Sequence, residues 1–438
     1  MKSAFFRVVS AASILASTAG CGVFELSNER ANDKVNPERP SWATRPSGVM
    51  NVLFRQPITS AKFVDPDGGI ERGRPEFDLA RARIFVGSSD HGLYALRATD
   101  GSTLWRYETL GSVEAEPYYD AELDYVYFGS SDGALYAVRA QDGGLVFRYD
   151  TKSDVARRPV RVGETLLFTN SADYLFAIDR RTGKPKWQAH RPSASGMEIS
   201  GHAGTAVFED LAYMAYSDGT VTAYDVATGA EKWSPIDLAA EADNVGDAPK
   251  YLDSDTTPLV FRNGDRGLVV VANVAAGVVA LDARTGSRVW TNERALGVSQ
   301  LGRFEEPFHA PSKKKEEPAV PERKMVLAAS GTTGLWAFDV ATGKVLWRNT
   351  LPAGGITAPV AVSGAVAVGT ARYGLFLLSP VDGRAIDGID PGTGFTQAPV
   401  AFSDRLWALS NGGVLYGIGI ASPFAPARRR DPYSGVLR

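Results

Sequence analysis

The stretch Ile84-Phe-Val-Gly-Ser-Ser-Asp-His-Gly-Leu-Tyr-Ala-Leu-Arg-Ala-Thr-Asp-Gly-Ser-Thr-Leu-Trp105 returns 42 residues later as Val126-Tyr-Phe-Gly-Ser-Ser-Asp-Gly-Ala-Leu-Tyr-Ala-Val-Arg-Ala-Gln-Asp-Gly-Gly-Leu-Val-Phe147. One strand leads to Asp-Gly or a relative, a second ends near Tyr-Ala-Leu, and a Thr-Gly or Asp-Gly turn precedes a third that carries an aromatic residue. The unit recurs at Tyr174–Trp187, Thr220–Trp233, Val278–Trp290 and Leu335–Trp347. A copy at Leu375–Ile386 has lost its Trp, and a last one at Pro399–Ile420 stops before its final strand. The turn glycines Gly101, Gly143, Gly183, Gly229, Gly286, Gly343 and Gly383 are spaced 42, 40, 46, 57, 57 and 40 residues apart. A unit near 40 residues with four short strands is the signature of a propeller blade. Most copies open on Pro (Pro75, Pro117, Pro159, Pro258, Pro359, Pro399), which at the first residue of a strand costs no ladder hydrogen bond. Val49-Met-Asn-Val-Leu-Phe-Arg55 supplies the strand that the eighth copy lacks. The expected fold is therefore all-β: an eight-bladed β-propeller of four-stranded antiparallel blades over 49–421, closed by an N-terminal strand.

Composition narrows the function. Forty-seven Lys and Arg against 50 Asp and Glu give a net charge of −3, too balanced for a protein that lives on nucleic-acid phosphates. A single Cys excludes an intrachain disulfide, a four-Cys zinc site and an iron–sulfur cluster. His91, His190, His202 and His309 have no ligand-like spacing, so no metal or cofactor site is expected from them. Gly129-Ser-Ser-Asp-Gly133 matches a serine-hydrolase pattern, but that chemistry needs a strand-to-helix elbow. Here the parallel segment Gly87–His91 marks it as part of the repeat. The Trp series at 105, 187, 233, 290 and 347 recurs once per blade and reads as blade-to-blade docking.

The flanks read as an address and a tether. Lys2 and Arg7 precede the apolar and small-residue run Val8–Ala19, which is too short to span a bilayer and ends Thr18-Ala19-Gly20-Cys21. Small residues before the sole Cys resemble a bacterial lipobox, with Thr18 where Leu is usual; the competing reading is an ordinary secretory signal with an incidental Cys. Lipidation at Cys21 would remove residues 1–20 and tether the chain without making it span. Residues 21–48, punctuated by Pro37, Pro40 and Pro46, read as a flexible tether. Gly22 rather than Asp after the Cys implies outer-membrane sorting, by analogy with enteric lipoproteins. Two insertions break the period, Pro235–Asp255 and the charged, Pro-rich Gly302–Lys324. The tail 422–438 carries Arg428-Arg429-Arg430 and reads as a disordered end.

The Ala-Leu-Asp…Thr-Gly…Trp unit resembles the quinoprotein-type repeat, in which the Trp docks on the next blade. That repeat is shared by quinone-dependent dehydrogenases, the BamB family of outer-membrane-protein assembly lipoproteins, and sensory or extracellular propellers. The dehydrogenases are longer and commonly carry a vicinal Cys pair, which this chain lacks. Size, lipobox, tether and eight blades with N-terminal closure look like the BamB family. Leu252-Asp253-Ser254-Asp255-Thr256-Thr257-Pro258 resembles that family's Asp-x-Asp-Thr-Thr-Pro segment, whose acids meet the periplasmic domains of the barrel-insertion protein BamA. Met197-Glu198-Ile199-Ser200-Gly201 resembles a second family loop, with Ser200 replacing its Arg. The resemblance implies a non-catalytic scaffold with no cofactor. Met197, Ile199, Asp253 and Asp255 would bind a BamA-like partner, unfolded outer-membrane proteins would be clients, and Cys21 would carry the lipid at the periplasmic face of the outer membrane. Independently, exposed Met and Ile suit an interface anchor, and two carboxylates flanking one residue suit a basic partner patch. The competing local readings are packing under the loop and capping of a turn. At the level of function the alternatives are a propeller lipoprotein with another envelope partner and a quinone-dependent redox protein.

Overall fold

The computed structural model describes residues 47–58, 70–192, 202–238, 254, 256–305, 324–351 and 355–421. Among these, every regular element is a strand. The N-terminal strand β1 (Met50–Pro57) is followed by the first blade, β2 (Glu76–Asp78), β3 (Arg83–Gly87), β4 (Gly92–Arg97) and β5 (Thr103–Glu108). Strands β6–β9 (within 118–150), β10–β13 (160–190), β14–β17 (205–237), β18–β21 (259–292), β22–β25 (298–349) and β26–β29 (360–389) build blades two to seven. The eighth is β30 (Val400–Phe402), β31 (Arg405–Leu409) and β32 (Val414–Ile420), with β1 as its outer strand. All pairings are antiparallel, and β1 runs from Met50 opposite Ile420 to Pro57 opposite Val414 around a bulge at Leu53.

The expected eight blades and N-terminal closure are what the chain forms. Two boundaries differ: β17 (Glu231–Asp237) and β22 (Val298–Phe304) both run into the ranges read as insertions, Ile236 and Asp237 pairing with Val221 and Thr220. Gly302 to Phe304 pair with Leu327 to Met325, and Phe304 is wholly buried, so burial carries the strand past the point where the repeat fades. The second insertion therefore sits within blade six, between its first two strands.

Burial explains the pattern. The second and third strands of a blade, such as β3 and β4, are buried on both faces because a blade lies on either side. The outer strand β5 alternates exposed and half-buried. The apolar clusters form where blades meet: Ile84, Val86 and Leu96 of blade one pack with Trp407, Leu409 and Leu415 of blade eight.

Each junction carries a specific lock as well. The carbonyl just after the third strand of a blade accepts a hydrogen bond from an aromatic of the blade before. Trp105 Nε1 donates to Ala140 (3.0 Å), Trp187 to Val226 (2.9 Å), Trp290 to Val340 (2.9 Å) and Trp347 to Pro380 (2.9 Å). Phe147 cannot donate, and there Tyr127 Oη on the second strand reaches the carbonyl of Arg180 at 2.7 Å. At the next-but-one junction Tyr213 Oη takes Ala283 at 2.9 Å, which leaves the buried Trp233 Nε1 without a partner. Trp407 Nε1 closes the ring onto Ala98 at 3.0 Å. The turn glycine lies under the same ring. At Gly343 the φ is +68°, and a Cβ would sit 2.5 Å from Trp290, so both the backbone and the ring require Gly. Phe54 of β1 covers Gly101 in the same way.

The junction between blades seven and eight is fastened differently. The buried carboxylate of Asp387, on β29, accepts the backbone N–H groups of Ser47 (3.0 Å) and Met50 (2.9 Å). The N-terminal strand is thereby tied to two blades at once.

Candidate functional site

Alternating strands give the propeller two faces. The turns between first and second and between third and fourth strands share one face. The hairpins between second and third strands share the other with the connectors that lead from one blade into the next. The first face is held by inter-blade ion pairs. Arg83 bridges Asp78 (2.8 Å) and Asp124 (2.7 Å) of the next blade, and the buried Arg180 meets Asp120 and Glu164 at 2.6 Å each.

The connectors entering blades four and five have their described ends on the second face. Met197, Ile199, Asp253 and Asp255 lie outside the described residues, as does Cys21. The described ends of the two connectors lie side by side, because Gly204 donates its N–H to Thr257 Oγ1 at 2.9 Å. Ser254, between the two acids, is wholly buried and accepts from Asn273 Nδ2 at 3.0 Å. Thr256 is pinned through its hydroxyl to the backbone of Ala272, as donor at 3.1 Å and acceptor at 3.0 Å. At the end of the first connector His202 is 3% exposed, its Nε2 has no partner among the described residues, and its carbonyl accepts Arg157 Nε. Burial first, and the Arg157 charge second, pull its pKa from the usual 6.5 down to about 3.

The connectors also line a cavity on the propeller axis, of about 250 Å³, to which all eight blades contribute. The residues just before the opening prolines form part of a ring, Arg74, Glu116 and Arg158 in blades one to three and Thr257, Ala358 and Ala398 in blades five, seven and eight; Gly204 and Thr205 fill the arc in blade four, and Gln300 and Leu301 in blade six. One side is thus charged and the other neutral. On the charged side Arg74 Nη1 meets Glu116 at 2.6 Å, and Arg158 meets Glu76 at 2.6 Å and Glu116 at 3.5 Å while stacking on Tyr118 at 4.9 Å. Burial raises the Glu76 carboxyl above its ordinary range, opposed by Arg158. Glu114, one rung outward, is raised by burial against the pull of Arg72, with Asp154 and Glu71 adding like charge.

The sequence reading used the opening prolines to mark blade starts and passed over the residues before them. Arg74, Glu116 and Arg158 stand out only once those positions are seen to face the axis. The Ser-rich motif at 129–133 is a hairpin between β7 (Tyr125–Ser130) and β8 (Ala134–Arg139), where Asp132 accepts the Tyr136 hydroxyl.

Comparison with known proteins follows this geometry. Among curated proteins, the outer membrane protein assembly factor BamB of Legionella pneumophila is 23% identical over 229 residues, 52% of this chain and 53% of that protein. The BamB of Yersinia pestis is 26% identical over 341 residues, 76% of this chain and 68% of that one. The chain therefore spans about half to two thirds of the length of these relatives. A tetrathionate hydrolase of Acidithiobacillus ferrooxidans is 22% identical over 83% of this chain and 64% of its own. In structure, BamB from Moraxella catarrhalis superposes with a TM-score of 0.64 at 20% identity, covering 79% of this chain and 96% of that one. A quinohemoprotein alcohol dehydrogenase of Pseudomonas putida gives 0.63 at 13% identity, over 88% of this chain and 79% of its own, so the fold alone does not separate scaffold from enzyme. The family model described as outer membrane protein assembly factor BamB matches 90–302 and 276–413, and the chain belongs to that family.

Proposed function

We propose that this protein is a non-catalytic scaffold of outer-membrane β-barrel assembly. In this reading Cys21 carries a lipid that holds the chain at the periplasmic face of the outer membrane. Residues 21–48 are the tether, and 49–421 the propeller that binds the periplasmic part of a BamA-like barrel-insertion protein. Met197 and Ile199 are the apolar anchors, and Asp253 and Asp255 set the register against a basic patch. The observation that carries this is the hydrogen bond from Gly204 to Thr257, which joins the bases of the two connectors on one face. The pinning of Ser254 and Thr256 supports a rigid mounting for the acids on either side. Unfolded outer-membrane proteins are the proposed clients, through strand addition at the exposed outer strands.

A crosslinking pull-down from native membranes tests this, comparing wild type with Met197→Glu/Asp253→Arg/Asp255→Arg. The partner is expected with wild type and lost with the variant. Recovery with both keeps the function and rejects the residues; recovery with neither rejects the function. The similarity to tetrathionate hydrolase favours one second reading, an enzyme whose chemistry sits in the axial cavity.

A further inference from the structure

We propose that the axial cavity binds a small zwitterion: a free amino acid or a short peptide with both termini charged. Such binding stands independently of the assembly reading above. The lining carries charge of both signs in balance. Arg74, Arg157 and Arg158 face it, against Glu114 and Glu116, with Glu76 behind Arg158.

Within that balance two groups are incompletely paired. Among the described residues Arg74 pairs through Nη1 alone, on Glu116, and 27% of its side chain is exposed. Glu114 has as its nearest cation Arg72, 3.7 Å away and more than half exposed, so solvent weakens the pair. Burial and the neighbouring carboxylates Asp154 and Glu71 disfavour its charge further. A ligand cation at Glu114 and a ligand anion at Arg74 would relieve both.

The rest of the wall suits the atoms between two such termini. Gln300 and Gln397 line the cavity from blades six and eight, both half-buried, and neither side chain makes a hydrogen bond among the described residues. A primary amide offers a donor and an acceptor, which matches a peptide group or an α-amino acid backbone. A simple anion would gain Arg74 but meet Glu114, and a simple cation the reverse. Among the described residues no group of acids or histidines could hold a metal.

The test uses the full chain and isothermal titration. Glycylglycine is compared with N-acetyl-glycylglycine, which lacks the cation, glycylglycinamide, which lacks the anion, and sucrose. Each lost charged hydrogen bond corresponds to about ten-fold in affinity or more. Glycylglycine is expected to bind, both blocked forms to bind at least about ten-fold more weakly, and Glu114→Gln and Gln397→Leu to weaken glycylglycine similarly. Gln397→Leu removes no hydrogen bond of the fold, so its effect is not one of misfolding. Equal binding of either blocked form, binding of sucrose alone, unchanged binding by Gln397→Leu, or no binding at about 10 mM would each overturn the proposal.

Discussion

His202 makes the protein sensitive to mild acid. Its imidazole is buried, with no partner for Nε2 among the described residues, and its pKa is depressed from 6.5 to about 3. In the unfolded chain it takes up a proton as pH falls through 6.5, whereas in the folded chain it stays neutral until about 3. Between those values the unfolded state holds more protons, so stability is full above 6.5 and falls with pH. At 1.36 kcal/mol per unit, the loss between pH 7.5 and pH 5.0 is about 2 kcal/mol from this residue. Most carboxylates stay ionised over that interval, and what they contribute is common to wild type and variant. The comparison is His202→Leu, which keeps the volume and removes an unsatisfied buried nitrogen, so it costs little at pH 7.5. Urea denaturation at the two pH values, followed by tryptophan fluorescence, should show wild type losing about 2 kcal/mol more than the variant. Equal losses in the two proteins would refute the assignment and place the imidazole in contact with water.

The blade junctions give a paired expectation. Trp290→Phe removes the donor to Val340 and leaves that carbonyl buried, at a cost of about 1–2 kcal/mol, whereas Trp233→Phe removes an indole N–H that has no partner and should cost less than about 0.5 kcal/mol. Thermal denaturation of the two variants side by side checks the order. Asp387→Leu leaves the N–H groups of Ser47 and Met50 without their acceptor, for about 2–4 kcal/mol, and should let protease cut near Met50 while the rest of the ring survives.

The fold was legible because its repeat is written in backbone requirements. Gly343 and its equivalents must be Gly, both for φ and for the ring above them, and a period that falls on such positions cannot drift. The blade locks were half legible. The Trp series announced docking, but nothing along the chain says that Tyr127 stands in for the indole missing at Phe147, or that Tyr213 displaces Trp233 from the carbonyl of Ala283. Those substitutions depend on which strand reaches the carbonyl, a three-dimensional fact. The axial cavity was not legible, because Arg74, Glu116 and Arg158 lie 42 residues apart in successive blades and meet only when the ring closes. Asp387 was missed for a related reason: its partners are backbone N–H groups more than 330 residues away.

The two halves of each blade are under different constraints. The outer half repeats because seven of the eight junctions use the equivalent acceptor carbonyl, and at these a residue that cannot serve it is replaced by another donor to the same atom. The inner half has no such shared atom. Its connectors meet at the axis, where neighbours differ and each position can carry its own chemistry: ion pairs in blades one to three, hydroxyls in four and five, unpaired amides in six and eight. Function in a propeller of this kind is therefore to be sought where the repeat breaks. Here it breaks in two places, at the charged arc of the axial ring and at the connectors entering blades four and five. The bond between Gly204 and Thr257 joins these places, since both residues line the cavity and both end a connector. A partner seated on the connectors would press on the cavity wall, so a ligand in the cavity and a protein on that face are expected to influence each other's affinity. Measuring partner affinity with and without saturating glycylglycine decides it: any coupling must appear equally in both directions, and equal affinities would separate the two sites.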